Sequence, residues 1–269
     1  MTNKGEENEV MLKAFLAKCY FQFFHGGAEL KTGPEELRQI RHLNFGPGVN
    51  IPVWLTEYEE WLYKRDYKNL KKVFGKAKAS FKADIGINGI NYSIKFGDCA
   101  KAAMINHTSR DGFINVCNKL KMNIAPLDEM IKEYWSLRKS GKITEDITNT
   151  SPHSPFRKYK EYLKPILEYF FFKGTGKRGD SDFPADKILI FSNACDPSTY
   201  KIISLDEAVD SVWDNLTFSM RSKKGMPTKK VGSQLVDLYS PAKYPVLAPW
   251  VEYTSDEAKF PKGALHVRS

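Results

Sequence analysis

The sequence predicts an α/β chain with a mixed β-sheet, and three observations carry that prediction. Apolar residues recur at helical spacing in several long stretches, and strand-length apolar runs lie between them. One further segment alternates apolar and polar residues on both sides of an Asn-Gly pair. Apolar residues make up 42% of the 269, enough for a sizeable core and too many for a disordered chain, and the expected organisation is a single domain over 1–269.

In chain order, an amphipathic helix is expected from about Gly5 to Phe24, ended by Gly26-Gly27. Residues Thr32–Pro52 are rich in Gly, Pro and polar side chains and read as a loop. A second helix covers about Thr56–Phe74, followed by a hairpin over Lys82–Phe96. Helices follow at Pro126–Lys139, after which Ser140–Ser154 is polar, and at Tyr159–Phe172, with Pro165 placed to kink the latter. Lys187–Asn193 is an apolar run of strand length that Tyr200–Ser204 can pair with, and Asp206–Leu216 has a helical pattern. Beyond residue 217 the tail breaks into short extended pieces with Pro, Gly and basic residues.

The formal charge of +9 and pI of about 9.2 make a polyanion, nucleic acid or an anionic surface, a natural partner, and a simply basic cytosolic protein is the equal alternative. The first residues are polar and acidic, unlike a secretory signal, and the most apolar short run, Tyr169–Phe172, is far below membrane-spanning length. Cys19, Cys99, Cys117 and Cys195 are widely separated, which argues against a disulfide framework or a zinc cluster. The expectation is a cytoplasmic chain with reduced thiols and no membrane partner.

The hairpin segment carries the functional argument. If Asn88-Gly89 form a two-residue turn, Ile87 faces Ile90 and, counting outward, Asp84 faces Ser93. Ala83, Ile85, Ile87, Ile90, Tyr92, Ile94 and Phe96 then share an apolar face, with Asp84, Ser93 and Lys95 on the other. Diagonal neighbours lie about 7 Å apart, so Lys95 reaches towards Asp84. A carboxylate that holds Mg²⁺ beside a lysine suits phosphodiester hydrolysis, because the cation neutralises the attacked phosphate and the lysine orients the attacking water. An ordinary hairpin with a polar outer face is the competing explanation.

Asp84 followed by Ser93-Ile94-Lys95 resembles the active-site hairpin of Type II restriction endonucleases of the PD-(D/E)XK nuclease superfamily. Ser93 stands where that family usually has Asp or Glu, and Ala83 where it often has Pro. The resemblance implies a restriction-endonuclease-like core, a central mixed sheet flanked by helices. It also implies Mg²⁺-dependent cleavage of double-stranded DNA at a short specific sequence, with a cognate DNA methyltransferase as a separate protective partner and a homodimer as one possible assembly. Asp84 would ligate the metal, Lys95 would position the water, and Ser93 would hold a metal-bound water. The missing carboxylate is expected from the N-terminal helix, where Asn3–Glu9 resembles the start of such enzymes and Glu9, with Glu6 second, would complete the metal charge. Acidic residues also favour any helix N-terminus, which is the simpler account of both.

Asn106, His107 and Arg110 lie in a stretch that resembles the segment after the catalytic lysine and are candidates for phosphate contact, against the alternative of a polar loop leading into a helix. The densest basic stretch, Phe218–Lys230, supplies Arg221 as a candidate base reader and Lys223, Lys224 and Lys229 as phosphate contacts, within a C-terminal part (175–269) expected to contribute to DNA recognition. Gly174-Thr175-Gly176-Lys177 lacks the flanking residues of a phosphate-binding loop. Rival functions are a repair or junction-resolving nuclease of the same superfamily and a non-catalytic DNA-binding module, the latter favoured by Ser93.

Overall fold

The computed structural model describes residues 4–75, 78, 80–97, 103–222, 250–252 and 262–268. Its elements in chain order are α1 (Lys4–Gly26), β1 (Leu43–Asn44), α2 (Thr56–Tyr63), α3 (Tyr67–Phe74), β2 (Ile85–Ile87), β3 (Ile90–Phe96), β4 (Ala103–Ser109), α4 (Arg110–Lys119) and α5 (Ala125–Lys139). They continue with β5 (Ile147–Thr148), α6 (Lys160–Glu168), β6 (Gly174–Thr175), β7 (Gly179–Asp180), β8 (Lys187–Phe191), β9 (Lys201–Ser204), α7 (Leu205–Val212), β10 (Thr217–Ser222) and β11 (Lys262–Arg268). The chain forms two compact units. The first comprises Met1–Ala100, Phe172–Gly174 and Asp180–Ala208, and the second Lys101–Phe171, Thr175–Gly179 and Val209–Ser269.

The first unit is built on a mixed sheet of order β1-β2-β3-β8-β9, in which only β3 and β8 run parallel. Residues paired across neighbouring strands share a face. Leu43 pairs with Ile87, Ile85 with Tyr92, Ile94 with Leu189 and Phe96 with Phe191, so these side chains form one apolar surface. That surface joins a single core with α1, α2 and α3. Helix α1 is apolar around most of its circumference, with Leu12, Ala14, Leu16 and Ala17 fully buried, as expected of a helix covered on several sides.

The expected second helix is two helices. After Tyr63 the chain turns at Arg65, which takes a left-handed φ of 52°, and Asp66 restarts the helix by accepting the Asn69 N–H at 3.2 Å. The expected loop over Thr32–Pro52 contains a 3₁₀ turn (Glu35–Leu37) and the edge strand β1. A two-residue strand leaves too little alternation to be seen in sequence.

The second unit holds an antiparallel sheet of order β4-β11-β10-β5. Leu127, Met130, Ile131, Tyr134 and Trp135 recur along α5 at helical spacing and are buried. Phe156 stacks on Phe218 of β10 with ring centres 4.2 Å apart. The stretch Tyr159–Phe172 is not one helix. It starts as a 3₁₀ turn, contains Pro165 within α6, and passes into a π-helical turn at Tyr169–Lys173. Among the described residues, no helix is long and apolar enough to cross a membrane.

Candidate active site

The hairpin forms in the register that its turn dictates. Asn88 and Gly89 have φ of 52° and 84°, and Ile87 pairs with Ile90. The turn is tied down from outside, since Asn88 Oδ1 accepts the N–H groups of Arg41 and His42 while its amide nitrogen donates to the Gln39 carbonyl at 2.6 Å. Gly86 follows from the same packing, because a Cβ there would collide with the Asn44 side chain.

Asp84 lies just before β2. Its N–H donates to the Tyr92 carbonyl at 2.8 Å, and its Oδ2 accepts the Ile94 N–H at 2.7 Å. The carboxylate thus takes a position in the strand ladder that a backbone carbonyl would otherwise fill, and Oδ1 takes no part in that bond. Ser93 is buried at 4% exposure, and Lys95 Nζ donates to its hydroxyl oxygen at 3.0 Å.

Lys82 is the residue that the sequence reading missed. Burial pushes its ammonium down to about 8, helped by the positive charge of Lys95 and opposed by Asp84. Two lysines and one carboxylate therefore sit within electrostatic range of each other. Lys82 precedes Asp84 by two residues, and that proximity in sequence was the available signal.

The two helix glutamates have local partners. Glu9 accepts Lys13 Nζ at 2.8 Å, and Lys13 is 1% exposed, so the pair is an intrahelical bridge in the core. Glu6 lies within electrostatic reach of Lys71 on α3. Among the described residues no three of His, Cys, Asp and Glu converge where a metal ion could be held. What the hairpin offers a cation is the Asp84 carboxylate, whose Oδ1 is outside the bond to Ile94. That fits Mg²⁺, which commonly uses one or two carboxylates and completes its shell with waters and phosphate oxygens.

The remaining candidates belong to the second unit. Asn106 and His107 are exposed on strand β4, where the sequence reading offered a polar loop leading into a helix. Arg110 is held by Asp128 through two bonds of 2.7 and 2.6 Å, and the Trp250 indole donates to the same carboxylate. Arg221 bridges Glu145 and Asp146, each at 2.7 Å, while Lys262 and Arg268 hold the same two acids. Lys223, Lys224 and Lys229 lie outside the described residues. Gly176 touches the backbone of Gly112 in α4, and Asn115 donates to its carbonyl at 3.0 Å. Glycine at that position is thereby explained by close packing.

The structure is thus a mixed α/β chain with a central mixed sheet, helices beside it and a charged hairpin at its centre. Comparison with protein-family models, with curated proteins and with solved structures finds no match to this chain.

Proposed function

We propose that the chain is an Mg²⁺-dependent endonuclease acting on double-stranded DNA at a short specific sequence, with a restriction-endonuclease-like fold. The observation that carries this reading is the clustering of Asp84, Ser93, Lys95 and Lys82 on a hairpin whose register is held at both ends. Asp84 Oδ1 binds the cation. Bound Mg²⁺ supplies charge neutralisation at the phosphate and a more acidic water. Lys95, oriented by Ser93, binds the attacked phosphate and positions the nucleophile, and Lys82 adds positive charge beside it. A cognate methyltransferase protects host sites.

A second reading, a non-catalytic DNA-binding module, is favoured by the neutral Ser93 and by the engagement of Glu9 with Lys13. Plasmid digestion with and without Mg²⁺ separates the two. The nuclease reading requires discrete fragments in Mg²⁺, none in EDTA, and a loss of at least about 100-fold in Lys95→Ala, within the range set by removing one charge-stabilising donor. Binding of DNA in Ca²⁺ without any cleavage in Mg²⁺ would establish the module instead.

A further inference from the structure

The β4–β11 pairing contains an irregularity that brings two histidines together. Leu265 pairs with Thr108 and Val267 with Ile105, so His266 alone faces both Asn106 and His107. One extra residue on β4 makes this a β-bulge, a feature that bends a strand and re-aims a side chain. His107 takes a φ of 40° there, in the left-handed region that non-glycine residues seldom occupy. The outcome is that the His107 and His266 rings meet at 5.0 Å between centres, with planes at 86°.

We propose that His107 and His266 form a site for one imidazole-preferring transition ion, Zn²⁺, Ni²⁺ or Cu²⁺, separate from the hairpin and independent of the nuclease reading. The first support is distance. Two imidazoles on one tetrahedral ion, each bound at about 2.0–2.1 Å through nitrogen, have ring centres about 5 Å apart. The second is an orphaned atom. His266 Nδ1 is buried and has no hydrogen-bond partner among the described residues, whereas buried polar atoms are normally satisfied.

The third support is the surrounding charge. Arg221 and Arg268 lie close to His266, but their charge is offset by Glu145 and Asp146. Exposure of His107 leaves the ion a route in, and water completes its shell.

The test is a Co²⁺ titration of the full chain after removal of metal by EDTA, followed by visible d–d absorption and by displacement with Zn²⁺. One equivalent should bind with a tetrahedral spectrum. Binding should weaken at least about tenfold in His107→Asn and in His266→Gln, a conservative bound given that loss of outer-shell partners alone costs 10–100-fold. Asparagine tolerates the left-handed backbone at position 107, so that variant keeps the fold, as a thermal melt verifies. His153→Asn should bind Co²⁺ as the parent does. No Co²⁺ uptake by the parent, or undiminished uptake in both histidine variants, would overturn the proposal. Failure here leaves the plasmid test untouched, because that test reads Mg²⁺ chemistry at the hairpin.

Discussion

Asp84 and Ile94 are joined by a bond between side chain and backbone: Asp84 Oδ2 accepts the Ile94 N–H at 2.7 Å, closing the ladder where β2 begins. The residue assigned to metal binding therefore also holds the hairpin together. The two roles have different requirements, since the ladder needs an acceptor oxygen and the cation needs negative charge.

Substitution can separate them. Asp84→Asn keeps an acceptor and removes the charge, so it should abolish Mg²⁺-dependent cleavage with little change in unfolding free energy. Asp84→Ala leaves the Ile94 N–H without its partner and should cost about 1–3 kcal/mol, measured by urea denaturation. Equal stability of the two variants would show that the bond contributes nothing.

Lys82 should give the fold a signature at alkaline pH. Its folded value of about 8 lies below the ordinary 10.5, so between these limits the unfolded chain binds more protons. Stability from this group should therefore rise as pH climbs from about 8 to 10.5, by at most about 1.4 kcal/mol per pH unit, with the full penalty present below that window. Lys82→Met should flatten the rise and be more stable than the parent at pH 7, with EDTA present throughout. An identical pH slope in parent and variant would remove Lys82 from the charged cluster.

Arg221 was expected to read a base, yet its guanidinium is engaged by Glu145 and Asp146. A double-mutant cycle on Arg221→Ala and Asp146→Ala should show a coupling of about 0.5–1 kcal/mol in stability, at the upper end for exposed pairs because several charges share the network. The same Arg221→Ala protein should keep the parent's ratio of affinities for cognate and random duplex DNA in Ca²⁺ if the ion-pair network is its whole role. A fall in that ratio with no loss of stability would make Arg221 a base reader.

The hairpin was legible because its information is local. Asn88-Gly89 demands positive φ at both positions, and the alternation of Ile85, Ile87, Ile90, Tyr92 and Ile94 leaves one register that buries them together. The paired run Lys187–Phe191 with Lys201–Ser204 was legible for the same reason. The break between α2 and α3 was visible in principle, since Asp66 with Asn69 is a capping pattern, but continuous helical periodicity on either side concealed it.

The amino-acid sequence by itself determined the α/β class, the turn, the register and the side-by-side placement of Ser93 and Lys95, all of which follow from residues close in the chain. Tertiary structure decided what charge and shape those residues meet. Asp84 turns into the ladder, Lys82 is desolvated, Glu9 is engaged by the buried Lys13, and Arg221 is tied to acids 75 and 76 residues away in sequence. The two histidines are a long-range case too, 159 positions apart in sequence and joined by a bulge that no local pattern announces. Local backbone preferences are written in a few neighbouring residues, whereas burial and ion pairing depend on which distant segments the fold packs together.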